Sequence, residues 1–342
     1  MYKYKLTICI ATYNRDVFLD KLLSKLCIQI NDLDSISVLV VDGNSSDNTK
    51  QVCKKYEKNY SNFRSIHLDS KGGVDKDFDI AVRNADSEFC WLFCDDDFIK
   101  DGSIERIVNK LNIHNPDIMI INSDVCNYEL NQVLLEKSID IESDLIIEND
   151  ESMQDKLHET CQTYLGCSNA LLFRRAIWCQ IDTERYYGTR FGDMCTIGQF
   201  PKYSKLLITS YPYISIRLGN AEWSKINFKV WYELFPKCIM AYSQLSEKVK
   251  KILHPNNFFW HIKFLLWNRA MNTYELKQYN TYMKDKKLPI KLFALFILYL
   301  PSYLCRLFFI IRAKMKKDKL AIYNLTQGRV SNNNWQSNDE TI

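Results

Sequence analysis

Within its first hundred residues the chain alternates between short, β-branched apolar runs and amphipathic stretches with helical spacing. "LTICIAT" (6–12) precedes "DVFLDKLLSKLCIQI", "ISVLVVD" (36–42) precedes "SSDNTKQVCKKYEKNY", and "FRSIHLD" precedes "DKDFDIAVRNA", which leads into "FCWLFCD". Runs this short and this apolar are strands covered on both faces, and strand–helix alternation covers a sheet in that way when its strands are parallel. The expected fold is therefore α/β, with a mostly parallel, Rossmann-like sheet and flanking helices. In such sheets ligands bind outside the carboxyl ends of the strands. Asp42 ends the second run and Asp95, Asp96 and Asp97 end the fourth, so these acids are expected to face one crevice.

The rest of the chain is less regular. "PDIMII" reads as another strand, "SNALLFRR" (168–175) as a further one, "RYYGTRFGDM" as a loop entering a short helix, and "LLITSYPYISIRLGN" as the end of the sheet region. From Trp223 onward helical spacing and aromatics dominate, and the polar tail from Gly328 is expected to be disordered. This gives a sheet region over 1–222, with one half to about 122 and a second over 123–222, then a helical region over 223–327 and a tail over 328–342. With 342 residues, 46% of them hydrophobic, the chain can bury a large core, and a net charge of +4 is too small to mark a nucleic-acid binder. Twelve irregularly spaced cysteines are expected to be reduced, buried thiols; Cys90 and Cys94 lack the further ligands of a structural zinc site. "MYKYKLTICIATYNR" carries no signal-peptide pattern, which places the chain in the cytoplasm as an expectation.

Three adjacent carboxylates repel one another unless a cation sits among them. One reading is an acidic turn capping a helix that starts near Asp101. The other is a hard divalent ion, Mg²⁺ or Mn²⁺, bridging acid and diphosphate oxygens. Asp42, in "VVDGNSSDNT", can accept hydrogen bonds from a base or ribose, and "ATYNR" puts Tyr13 where it can stack on a base and Arg15 where it can pair with phosphate.

In order and spacing, "ICIATYNR", "VLVVDGNSSDNT" and "KGGVDKDFDIAVRNADSEFCWLFCDDD" resemble the family 2 glycosyltransferases of the GT-A fold, above all bacterial O-antigen and capsule sugar transferases of the abequosyltransferase kind. The resemblance implies a nucleotide pocket of Thr12, Tyr13, Arg15 and Asp42, with Gly73 and Lys76 near the nucleotide and Asp95 near the ribose. Asp97 would be the direct metal ligand and Asp96 its support. The chain has Gly43-Asn44 where the family often has Asn or Asp-Gly, and Asp77 where close relatives often have Asn, which bears on nucleobase preference. The implied reaction moves a sugar from a nucleoside-diphosphate donor to a glycan or lipid-linked acceptor in surface polysaccharide synthesis, probing no nucleic acid. An inverting transfer needs a general base. Asp193 in "TRFGDM" is the first candidate and Glu222 in "RLGNAEW" the alternative; an N-cap is the structural reading of Asp193. Arg217 and Asn220 are candidates for contacting the diphosphate or the acceptor. The competing functions are a sugar nucleotidyltransferase, whose glycine-rich basic loop after the first strand is missing, and an inactive membrane-associated nucleotide-sugar-binding protein.

"LPIKLFALFILYLPSYLCRLFFIIRAKMKK" (288–317) is long enough to span a bilayer, but Lys291, Pro301 and Arg306 interrupt it and basic residues flank both ends. Two amphipathic helices lying in the membrane interface are expected, with the protein peripheral at the inner face of the cell membrane. A core helical hairpin is the alternative.

Overall fold

The computed structural model describes residues 2–31, 33–221, 224 and 226–327. Glu222, Trp223 and the tail over 328–342 lie outside the described residues. Contacts divide the chain into a first unit of Met1–Asp124, Glu136–Ile216 and Lys237–Leu253, and a second of Val125–Leu135, Arg217–Pro236 and His254–Ile342.

The alternation in sequence becomes β1 (Tyr4–Thr12), α1 (Asp16–Ile30), β2 (Ile36–Asp42), α2 (Thr49–Asn59), β3 (Phe63–His67), α3 (Val74–Asn84) and β4 (Ser87–Cys94). The strands pair in the order β3-β2-β1-β4, all parallel. Every residue of β2 is buried, Ser37 and Asp42 included, in keeping with its otherwise apolar sequence. α1 buries Leu19, Leu22, Leu23, Leu26, Cys27 and Ile30, one helical stripe, against Leu6, Ile8 and Ile10 of β1 and Val38 and Val40 of β2. Each such side chain contributes about 1.5–3 kcal/mol by leaving water.

Beyond β4 the chain adds β5 (Phe98–Ile99), α4 (Ser103–His114), β6 (Ile118–Cys126), β7 (Val133–Leu135), β8 (Leu145–Ile147), α5 (Met153–Cys161), β9 (Leu171–Arg174), α6 (Arg175–Trp178), α7 (Gly192–Ile197) and β10 (Leu206–Arg217). Here the sheet turns antiparallel: β9 pairs with β4 and β6, and β10 pairs with β5 and β8. The stretch read as a strand from Ser168 begins pairing only at Leu171, because Ser168–Ala170 form a 3₁₀ turn that frees Asn169 for a polar role. α8 (Asn227–Lys229), α9 (Phe235–Ala241), α10 (Glu247–Leu253), α11 (Phe258–Ala270), α12 (Leu276–Gln278), α13 (Leu288–Tyr299), α14 (Ser302–Met315) and α15 (Lys319–Thr326) follow among the described residues. One expectation about the cysteines fails: Cys195 on α7 and Cys238 on α9 are disulfide-bonded, while the other ten are free. The two lie 43 residues apart, and nothing in their spacing announces the contact.

The second unit has its own core. Phe228 meets Tyr232, Phe264, Tyr274 and Tyr282 at ring separations of 5.3, 5.2, 5.7 and 5.4 Å. Ala294, Ile297 and Leu298 of α13 pack into this cluster, and the Tyr274 hydroxyl donates to the Ala294 carbonyl at 3.0 Å. Leu300 is extended before Pro301, as a residue preceding proline must be, and α13 and α14 meet there at 97°. Arg269 Nε donates to the Leu300 carbonyl at 2.8 Å and Arg306 Nε to the Ala270 carbonyl at 3.1 Å, which fixes the bend against α11.

Candidate active site

Strand register brings the candidate residues together. Thr12 lies opposite Asp42, Asp42 opposite His67, and Ala11 opposite Cys94, so the ends of all four parallel strands open on one edge. Asp95, Asp96 and Asp97 occupy the turn between β4 and β5. They do not cap the following helix: the residue before α4 is Gly102, with no side-chain cap.

Part of the cation that the triplet requires is Arg15. Its Nη1 donates to Asp95 Oδ1 at 2.9 Å and lies 3.0 Å from Asp96 Oδ2, while Thr12 Oγ1 donates to Asp95 Oδ2 at 2.7 Å. Burial pushes the Asp95 carboxyl up to about 6, with Arg15 pulling the other way. Burial also works against the Arg15 charge, but Asp95 and Asp96 outweigh it and its pKa is raised. In this arrangement Arg15 organises the acids rather than standing clear of them.

The neighbouring edge holds Asp42, which accepts from Ser45 N at 3.0 Å and contacts His67 Nδ1 at 3.0 Å. Asn14, at φ 53°, links the β1 and β2 loops through Ser45 Oγ and Ser46 N, both at 2.8 Å. Tyr13 has the Lys71 ammonium 4.1 Å from its ring centroid. Gly73 opens α3 at φ 87°, a conformation that favours glycine, and Lys76 is exposed one turn on. Asp77 is buried, its Oδ1 has no hydrogen-bond partner among the described residues, and burial, reinforced by Asp42, pushes it up to about 7. A side chain at Gly43 or Gly72 would strike the Asp77 carboxylate, at 2.9 and 2.8 Å.

The ligating atoms of Cys94, Asp96 and Asp97 all lie within 4.8 Å of one another. Two carboxylates dominate this donor set, which suits a hard divalent ion such as Mg²⁺ or Mn²⁺; burial and the three acids raise the Cys94 thiol well above its ordinary range. Asn169 braces the cluster: Nδ2 donates to Asp97 Oδ2, Oδ1 accepts from Cys94 N at 2.6 Å, and its carbonyl accepts from Trp91 Nε1 at 2.8 Å.

Asp193 sits in the first turn of α7, buried, and burial pushes it up to about 7; a hydrogen bond from Ser168 opposes the shift and the Asp75 charge adds to it. It is not the N-cap, a position that Phe191 holds. Its loop is gripped by Asp75, which accepts from Arg190 N at 2.9 Å and Gly192 N at 3.0 Å. Asp79, also on α3, accepts from Arg83 Nε at 2.7 Å, Trp178 Nε1 at 2.8 Å and the Tyr187 hydroxyl at 2.8 Å, so those two aromatics are held as structural partners. Arg217 and Asn220 belong to the second unit. There Arg217 donates to the Tyr128 carbonyl, with its guanidinium 5.6 Å from the Tyr128 ring centroid, and Asn220 is buried. Glu222 is outside the described residues.

Sequence reasoning missed His67, Asp75 and Asn169. His67 ends the third strand and could have been found by aligning strand ends. Asp75 and Asn169 act on partners 117 and 72 residues away, and no local pattern marks them.

A parallel sheet with an acid ending its second strand and a carboxylate cluster ending its fourth is an arrangement that fits the glycosyltransferases with the GT-A fold. Glycosyl transferase family 2 matches residues 7–179, and the chain belongs to that family. The poly(ribitol-phosphate) β-N-acetylglucosaminyltransferase TarS of Staphylococcus aureus is 29% identical over 118 residues, 34% of this chain and 20% of that protein. The crystal structure of TarS residues 1–349 with UDP superposes with a TM-score of 0.55 at 19% identity, covering 99% of this chain and 94% of that one. Abequosyltransferase RfbV of Salmonella typhimurium is 31% identical over 101 residues, 29% of this chain and 30% of the relative. A mannosyltransferase from Pyrobaculum calidifontis, solved with GDP-Man and Mn²⁺, superposes with a TM-score of 0.52 at 14% identity, covering 95% of this chain and 88% of that one. The matches thus span about a fifth to a third of the length of these curated relatives.

Proposed function

We propose that the chain transfers a sugar from a nucleoside-diphosphate donor to a hydroxyl of a glycan acceptor, lipid-linked, in the synthesis of a bacterial surface polysaccharide, with inversion at the anomeric carbon. The observation that carries this reading is the alignment of Asp42, the Arg15–Asp95 pair and the Cys94/Asp96/Asp97 cluster on one edge of a parallel sheet. The nucleotide complexes of TarS and of the mannosyltransferase support it by likeness of fold.

Asp42 and Tyr13 hold the base, while Thr12 and Arg15 fix Asp95 for the ribose. Gly73 and Lys76 approach the nucleotide from the start of α3. Asp97, steadied by Asn169, and Asp96 hold Mg²⁺ or Mn²⁺. When bound, the ion neutralises charge on the departing diphosphate. Asp193 takes the acceptor hydroxyl's proton, the acceptor oxygen forms the new bond to the anomeric carbon, and the bond from that carbon to the diphosphate oxygen breaks. A carboxyl pushed up to about 7 is matched to proton transfer near neutral pH.

Calorimetry with UDP, GDP, CDP and dTDP, with and without Mg²⁺ or Mn²⁺, tests it together with donor turnover by Asp97→Asn. Metal-dependent binding of one diphosphate, and a folded variant without turnover, are expected. Full activity in excess EDTA overturns the metal assignment.

A further inference from the structure

α13 and α14 each have two faces of different character. Inward, Ala294, Ile297 and Leu298 join the Phe228 cluster, and Cys305 packs with Ala270 and Leu325. Outward, at the same helical spacing, Leu292, Phe296 and Tyr299 of α13 and Leu304, Phe308 and Ile311 of α14 stand in solvent, Phe296 60% and Phe308 58% exposed. Large apolar side chains grouped on one face of adjacent helices, rimmed by charge, are the pattern of an interaction surface. The core-hairpin reading accounts for the inward face and leaves the outward one unexplained.

We propose that this outward face seats the second unit on an anionic lipid surface, lying in the interface without crossing it. Charge selects the occupant. From 284 to 317 the chain has nine Lys and Arg and one acid, Asp285, and Lys284 and Lys287 before α13 and Arg312, Lys314, Lys316 and Lys317 at the end of α14 are exposed. Anionic headgroups complement that rim while acyl chains receive the aromatic and aliphatic side chains. A second copy of the chain fits less well, because a two-fold contact through this face would set its basic rim against itself. A bilayer span fits less well too. No single helix among the described residues is long and apolar enough to cross a membrane. α13 and α14, of 12 and 14 residues, reach only about 18 and 21 Å against a hydrocarbon core of about 30 Å. Opening their 97° bend would also strip Ala294, Ile297 and Leu298 from their cluster.

The test is co-sedimentation of the full chain with phosphatidylcholine vesicles containing or lacking phosphatidylglycerol; no donor is present, so its outcome is independent of the transfer reaction. Binding to the anionic vesicles is expected, weakened but not abolished by salt. Phe296→Asp combined with Phe308→Asp should weaken it at least about 10²-fold, and Lys287→Gln combined with Lys316→Gln about 25-fold at low salt, at about fivefold per basic residue. With the unaltered chain, a photoactivatable phosphatidylglycerol should crosslink within 288–315, which keeps the test decisive if a variant fails to fold. Absence of vesicle binding, crosslinks confined elsewhere, self-association through this face in place of lipid binding, or flanks of the segment accessible from opposite sides of sealed vesicles would each overturn the proposal.

Discussion

Asp75 Oδ1 accepts a hydrogen bond from the Gly192 amide at 3.0 Å, a contact between residues 117 apart in sequence that sits one residue before Asp193. The approach is close enough that a Cβ at Gly192 would meet the Asp75 carboxylate at 3.0 Å. Asp75→Asn replaces an acceptor by a donor facing a donor. Turnover is expected to fall about tenfold while the donor dissociation constant stays within about twofold, because the loop and not the nucleotide is disturbed. Steady-state kinetics alongside calorimetry separates the two; an equal loss in both would show a general folding defect.

Asp193→Asn should lower transfer about 10²–10⁴-fold with little change in nucleoside-diphosphate affinity. In the unaltered enzyme the rate should rise with pH through about 7, as Asp193 loses its proton and becomes able to accept one. The groups around it that bear on this titration are Asp75, Ser168, Cys167 and Tyr242. A large loss in Glu222→Gln with a small one in Asp193→Asn would reassign the base.

Asn169→Ala removes the side chain that bridges Asp97 and the Cys94 amide. Leaving those buried groups without that partner is expected to cost about 1–3 kcal/mol of stability. The Mn²⁺ concentration needed for half-maximal turnover should rise at the same time. Denaturant melts and metal titrations read the two effects, and an unchanged metal requirement would limit Asn169 to a structural role.

Asp77→Asn should stabilise the protein in alkali. The unfolded carboxyl ionises near its ordinary 3.8 while the folded one keeps its proton to about 7, so the folded state binds more protons in that window and stability falls as pH rises through it. Asparagine escapes the loss. The gain should be about 1–2 kcal/mol at about pH 8, well under the full value of the shift because buried sites relax, and should vanish near about pH 4. Thermal melts across pH check the slope; a parallel change in base preference would place Asp77 at the nucleobase.

The parallel part of the fold was legible because β2 and β4 are apolar on both faces and the helices between them carry a single buried stripe. The acids were legible because a carboxylate ending such a strand has no packing reason to be there. Arg15 was legible as a residue of the site, but its engagement by Asp95 and Asp96 was not, since a loop arginine can face many ways. "SNALLFRR" misled because Ala170 and Leu171 continue an apolar run through a turn, and the polar Asn169 within it is visible as a brace only once β9 lies beside β4. Cys195 and Cys238 show the same limit: pairing at a distance leaves no local mark.

α3 is eleven residues long and carries Asp75, Lys76, Asp77, Asp79 and Arg83 on one rigid rod. Each added or lost residue turns everything beyond it by about 100° and slides it by about 1.5 Å. The helix therefore works as a vernier between the loop before Asp193 and the hub at Asp79. A point substitution there disturbs one partner at a time, but a single-residue insertion between Gly73 and Asp79 would put every later side chain out of phase with the partner that reads it. Its length of eleven residues is what keeps those side chains in phase with their partners.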